Sequence, residues 1–405
     1  MGAVINYLVG ASGTGKTTDL MKRVAEAAVL NPDKKYLMIV PEQAASTVER
    51  DMVKIMSLCH GRKGFMNIDI VGISRLAYKI FNEMRAKVGG LLADADKSMI
   101  IRFIAGRLKL RVYKNSIDKD GFISEAKSLL SELFQYNITI SDIDEVINEM
   151  EATGEKPVLL EKLKDIRDIF AGFEEKVSDY EESLPAERLV SYLLRKLSSL
   201  ECNILDNAVV TFDGFTGYTP AQYDLIEEIM KRAESLSFVI TMDSEIVKSK
   251  RVVKDYEIFN LSYVTYKNLM EKAKENGLSE GEVLLYENNQ RHQKGTMLDD
   301  LVSGIFRFPS PEHKECDESV KVLECRNSDD EIAVIAEEIK RLIREEGMRY
   351  SDIAVFSPSL DDSSKSFEKI FRKYDIPYFL DNTRKMRQNP FSEAIILLLM
   401  AEDKN

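Results

Sequence analysis

Val4-Ile-Asn-Tyr-Leu-Val-Gly10-Ala-Ser-Gly-Thr-Gly15-Lys16-Thr17-Thr18 opens the chain, and its reading decides the fold. Val4 to Val9 is a short β-type run, and Gly10 to Thr17 fit G-x-x-x-x-G-K-[ST] in full. Glycines let such a loop wrap so that its N–H groups face phosphates, and the helix expected from about Thr17 to Leu30 adds its positive end. Lys16 then reaches the outer phosphates and the Thr17 hydroxyl holds Mg2+. The expected nucleotide site is Gly10, Ala11, Ser12, Gly13, Thr14, Gly15, Lys16, Thr17 and Thr18, with ATP and Mg2+ as its ligands. The fold class that follows is α/β, a P-loop NTPase parallel sheet.

Outward from that loop, Tyr36 to Val40 and Ile68 to Gly72 read as buried strands, the second followed by a helix with Leu76, Ile80 and Phe81 on one face. Strands alternating with helices imply a parallel sheet. From about Gly90 to Leu200 the pattern is helical almost throughout and reads as an insertion. The sheet pattern resumes at Ala208–Phe212 and Ser237–Thr241, separated by a helix that starts at Thr219-Pro220. Residues 245–317 read as a helix, a charged stretch and a further helix near Met297, and Pro309 to Ser319 as a linker. Val320–Cys325 and Ile353–Phe356 are expected strands, with helices Asp330–Gly347 and Ser366–Tyr374, so a second α/β domain is expected to begin there. The expected division is 1–90 with 201–317, then 91–200, then 318–405, and the closing Phe391–Met400 helix suggests the N-terminal part of a longer protein.

Composition bounds the partners. The chain has 405 residues with a formal charge of −12, which argues against nonspecific coating of nucleic acid but allows a narrow basic channel. The apolar run Ala394–Ala401 falls short of the roughly 20 residues needed to cross a bilayer, so neither a membrane span nor a membrane partner is expected. With no secretory leader pattern, a cytoplasmic location is expected. Cys59, Cys202, Cys316 and Cys325 form no C-x-x-C pair, and His60, His292 and His313 are scattered, so no zinc or iron-sulfur ligands are expected here.

An acidic partner for the loop is expected at Val209-Val-Thr-Phe-Asp213-Gly-Phe-Thr-Gly, where a buried strand delivers Asp213 to hold Mg2+ through water. Several segments together resemble superfamily 1 helicases of the UvrD type: Tyr36–Ala45, Asp69–Tyr78 and Asp213–Gln222, in that order. The resemblance implies a RecA-like first domain, a helical insertion and the start of a second RecA-like domain. It also implies a disabled motor: Gly214 stands where those enzymes place the residue that orients the attacking water, and Thr241-Met-Asp243-Ser lacks the γ-phosphate-sensing Gln.

That pattern of loss is similar to the AddB (RexB) family of the bacterial AddAB helicase-nuclease. It rests on VPEQ at Val40–Gln43, SRLAY at Ser74–Tyr78, DGFTGYTP at Asp213–Pro220, Ile376–Leu380 and Asn389-Pro-Phe391. The family pattern usually has Thr where this chain has Ala45. What the resemblance implies is a heterodimer with an AddA-like motor and nuclease subunit, acting on duplex ends and single-stranded DNA to process double-strand breaks. The helicase-like part would scan one strand for the Chi sequence, and a nuclease domain and iron-sulfur cluster would lie in a C-terminal part.

Carried over residue by residue, Gln43, Ser74, Arg75, Tyr78 and Phe215 are the expected strand contacts. Amides read base edges, Arg neutralises phosphate, and aromatic rings stack on unpaired bases. Core packing of Tyr78 and Phe215, and an ion pair at Arg75, are the competing readings. The cluster Arg102, Arg107, Lys109, Arg111 and Lys114 reads as a solvated face or the flank of a DNA path. Two other functions stay open, an active superfamily 1 motor and a P-loop phosphotransferase.

Overall fold

The computed structural model describes residues 3–402 except 87–88, 118, 155, 179–183, 198–201, 305–316 and 382–388. It divides into two compact units, Met1–Lys314 and Glu315–Asn405.

The first unit is built on a six-stranded sheet formed by β1 (Val4–Gly10), β2 (Tyr36–Ile39), β3 (Ile68–Val71), β6 (Val209–Phe212), β7 (Ser235–Thr241) and β8 (Ser279–Tyr286). Their order is β3-β2-β6-β7-β1-β8 and every pairing is parallel. A parallel sheet must be covered on both faces, and its strands here are apolar on both. Ile5, Tyr7, Val9, Phe212 and Phe238 enter one core. That face is covered by α3 (Ile73–Glu83), α9 (Pro220–Arg232) and α11 (Asn260–Glu275). Leu8, Tyr36, Met38 and Ile70 enter the other core, covered by α1 (Lys16–Leu30) and α2 (Ala45–His60). Because α1 leaves β1 toward one face while α9 and α11 take the other, a crevice opens at the carboxyl ends of the strands, where ligands of such sheets bind. The short helix α10 (Ser244–Lys248) follows β7, and α12 (Met297–Gly304) follows β8 at the place the sequence suggests.

Between β3 and β6 the chain forms α4 (Asp94–Ala105), α5 (Asp120–Gln135), α6 (Ile140–Thr153), α7 (Pro157–Ser178) and α8 (Leu189–Leu197). Its separate core joins Ile101, Phe134, Phe170 and Phe173. The helical expectation misses one detail: β4 (Leu91–Leu92) and β5 (Leu184–Pro185) pair in parallel within it.

Two expectations need correction. The charged stretch before Met297 contains β8, an edge strand on β1. In the second unit, neither Val320–Cys325 nor Ile353–Phe356 is a strand, and none occurs among its described residues. A strand needs a ladder partner; here Val322 and Phe356 are 91% and 93% exposed. The unit is instead held by α13 (Ser328–Glu345) packing on α14 (Leu360–Lys373) around Ile332, Ala336, Ile339, Phe367, Ile370 and Phe371. The expected closing helix is α15 (Pro390–Glu402). The expected linker at Pro309–Ser319 lies largely outside the described residues. Among the described residues no helix is long and apolar enough to cross a membrane.

Candidate functional site

Strand β1 ends at Gly10, and α1 begins at Lys16 with the intervening loop at the crevice. Gly13 and Gly15 take φ of +81° and +87°, which reverses the chain into the helix. Lys16 folds back under the loop, its Nζ donating to the carbonyls of Gly10 and Ala11 at 2.7 Å each, and it is 6% exposed. The Thr14 hydroxyl donates to the Ala11 carbonyl at 2.8 Å, while Ser12, Thr17 and Thr18 lie toward the solvent side of the loop. Burial pushes the Lys16 ammonium down to about 8; Asp213 opposes that shift and Arg291 adds to it.

Asp213 follows β6 directly and is 7% exposed. Its carboxylate accepts from the Thr17 hydroxyl and the Gly214 N–H. Burial raises its pKa, against the pull of Thr17, Gly214 and Lys16. Lys16, Thr17 and Asp213 therefore meet at one end of the glycine-rich loop. One carboxylate and one hydroxyl are too few to hold Mg2+ without further oxygens, such as those of a polyphosphate.

The residue after Asp213 carries no side chain. Gly214 has φ +82°, and a Cβ there would stand 3.1 Å from the Pro41 Cδ. An acidic side chain is thus disfavoured twice, by backbone handedness and by the proline. Asp243, beyond β7, accepts from the Glu245 N–H at 3.1 Å and caps α10. Thr219 caps α9, accepting the Gln222 N–H while its own N–H donates to the Gln222 side-chain oxygen.

Strand β8 brings residues that the sequence reading missed. The Gln290 N–H donates to the Gly13 carbonyl at 2.9 Å, and its side-chain amide fills the space a Cβ on Gly15 would take. Arg291 lies near enough to depress the Lys16 ammonium. The Tyr286 hydroxyl donates to Asp19, and burial together with that bond pushes it up to about 12. The signal was the apolar run Val283–Tyr286 ended by Asn288-Asn289.

A second cleft, of about 300 Å3, lies at the ends of β2, β3 and β6 against the helical insertion. Glu42, Ser74, Phe215, Gln135 and Gln222 line it. Gln43 is exposed in the turn closed by the Ala44 N–H on the Pro41 carbonyl, 2.8 Å. Arg75 is exposed and has no ion pair among the described residues. Tyr78, one helical turn on, is 36% exposed, with its ring 6.4 Å from that of Phe81. Phe215 is half-buried, packed on Tyr218 at 5.1 Å and on Phe212 at 6.5 Å. Of the basic cluster, Arg111 pairs with Glu161, Asp165 and Asp168, and Arg107 lies over the Phe103 ring at 3.7 Å, so those two are tied into the helical insertion.

Comparison with known proteins places this architecture. The family model described as ADDB, N-terminal matches residues 7–301. The chain is 31% identical over 398 residues to the ATP-dependent helicase/deoxyribonuclease B-subunit of Lachnoclostridium phytofermentans, covering 96% of this chain and 34% of that protein. It is 29% identical to the protein of the same name from Acetivibrio thermocellus, covering 98% of this chain and 34% of that one, and 29% identical to that of Clostridium perfringens, covering 96% and 32%. The chain thus spans about a third of the length of these curated relatives. With the family model matched over most of its length, the chain belongs to the AddB N-terminal family.

Proposed function

We propose that this chain is the helicase-like portion of an AddB-type protein, one that binds ATP and holds single-stranded DNA without acting as an effective motor. In this reading it has a P-loop NTPase, superfamily 1-like core divided as 1–90 with 201–317, 91–200 and 318–405. It works in the cytoplasm beside an AddA-like motor and nuclease subunit on the ends of broken duplexes. The fit to a nucleotide is supported by the cradle: Lys16 and the Gly10–Thr18 loop would hold the phosphates, Thr17 and Asp213 the Mg2+, and Arg291 the outermost charge. Bound Mg2+ would neutralise phosphate charge; the chain's own residues orient it.

The observation that carries the motor deficiency is Gly214, where no side chain stands beside Asp213 to activate water and where a positive φ and the nearby Pro41 disfavour one. The strand reading is supported by the second cleft, which Ser74 and Phe215 line, and by Gln43, Arg75 and Tyr78, exposed on the adjoining turn and the first turns of α3. The test is nucleotide binding and ATP turnover by the purified chain, with and without single-stranded DNA. Binding with negligible turnover is expected. DNA-stimulated turnover that vanishes in Lys16→Ala and Asp213→Ala would replace this reading with an active motor, and phosphorylation of a small acceptor would replace it with a phosphotransferase.

A further inference from the structure

The two strands that end beside the second cleft are joined by a side chain with no assigned role. Pro41 to Ala44 is a tight turn whose corners are Glu42 and Gln43. Glu42 reaches across from the end of β2 to the start of α3, and its Oε1 accepts the Ser74 N–H at 2.8 Å. The residue that would ordinarily cap that helix is Gly72, which has no side chain to offer. Gly72 also explains how Glu42 fits: a Cβ there would stand 2.1–2.3 Å from the Glu42 carboxyl atoms. The carboxylate occupies the volume the glycine leaves empty.

We propose that Glu42 is a positioning residue for strand binding, supplying the cap of α3 from the neighbouring loop and so locking Gln43 in register with Ser74, Arg75 and Tyr78. The inference rests on the strand-binding reading above. Gln43 adjoins Glu42 in one turn, while Ser74, Arg75 and Tyr78 ride on the first two turns of α3. Without the cap, the link nearest the two groups is the β2–β3 ladder, which ends with the Val40 N–H on the Val71 carbonyl. An exposed carboxylate beside a polyanion would otherwise oppose binding, so its presence needs a compensating role. Placing it on a helix N-terminus gives that role, because the helix end satisfies the negative charge.

The experiment uses the chain with a fluorescent thymidine oligonucleotide of about 20 nucleotides, read by anisotropy, with thermal unfolding as the folding control. Glu42→Ala is expected to weaken binding about fivefold, the scale of a lost helix cap. Glu42→Gln keeps an acceptor for the Ser74 N–H and should stay within about twofold of the unmodified chain. Gly72→Ala displaces the carboxylate and should match Glu42→Ala, and the double variant should be no weaker than either single one. If Glu42 is merely a surface charge, both Glu42→Ala and Glu42→Gln will tighten binding, and the proposal fails. It fails equally if Glu42→Gln is as weak as Glu42→Ala, or if the Gly72 and Glu42 effects add. An unmodified chain that binds no oligonucleotide overturns instead the strand-binding reading, and the positioning role with it. In that case, faster exchange of the Ser74 amide in Glu42→Ala than in Glu42→Gln would leave only the cap itself standing.

Discussion

Two regions at the carboxyl ends of one sheet have opposite characters. The Gly10–Thr18 loop is internally satisfied: its lysine is buried on two carbonyls, and its threonine is bonded to a buried carboxylate. The loops after β2 and β3 are open, with Gln43, Ser74 and Arg75 facing solvent. A closed, charge-dense cradle suits a compact anion whose geometry is fixed. An open row of amide, cation and ring suits an extended chain that contributes one weak contact at a time. The difference teaches that the two proposed sites would rest on separate physical principles, and they can be tested apart.

The largest expected effect is at Lys16. Lys16→Ala should weaken ATP binding by about 100-fold, as expected for loss of a buried charge-assisted contact, with oligonucleotide affinity within about twofold. Calorimetry and anisotropy read the two quantities, and a parallel loss of both would mean the loops are one site.

Gly214→Glu comes next. Forcing a side chain into the left-handed region costs about 1–2 kcal/mol, so the unfolding temperature should fall. Turnover should stay negligible, and a gain of ATPase activity would show that the backbone can accommodate the acid after all.

The third effect sharpens the cradle side. Lys16 has a free-state pKa of about 8, and an anion bound to its charged form must raise it. Binding therefore takes up a proton near pH 8, and ATP affinity should fall about tenfold between pH 7 and pH 9. The same shift favours the neutral amine in the folded chain, so Lys16 makes the fold more stable, not less, as pH rises from 8 toward its unfolded value. Calorimetry in buffers of different ionisation enthalpy measures the uptake, and a flat profile would contradict it.

The smallest effect is on the open side. Arg75→Ala should weaken oligonucleotide binding a few-fold and lower the salt dependence by about 0.7 in the log–log slope, the share of one phosphate contact. An unchanged slope would remove Arg75 from the strand path.

The strand–loop–helix around Gly10–Thr18 was legible because a local motif carries its own backbone requirement. So were the strand that leads into Asp213 and the one bearing Asp69, which are buried runs within one α/β pattern. Strand β8 was not. It lies at the sheet edge, opens with Ser279-Glu280-Gly281-Glu282, and pairs with β1 from across most of the chain. An edge strand needs only one buried side and tolerates charge, so its pattern looks like a loop. Missing β8 meant missing Gln290 and Arg291, which reach the glycine loop only through that pairing. The opposite error occurred at Val320–Cys325 and Ile353–Phe356, where β-type composition was present but no ladder forms among the described residues. Gly72 and Glu42 were invisible in principle, since no local pattern links a turn residue to a helix start across two strands.

The bonds from Lys16 to Gly10 and Ala11 set a threshold for any ligand. Two of the three ammonium N–H donors are already held by carbonyls at 2.7 Å, so an anion that took more than one of them would have to displace a short bond. A lone phosphate or sulfate would bring only its own oxygens to that exchange, whereas a triphosphate would be held at several points along the loop while the lysine changes hands. If the loop takes a nucleotide, the cradle would in this sense be a valence filter, favouring a polyphosphate, whose grip is distributed, over abundant small anions.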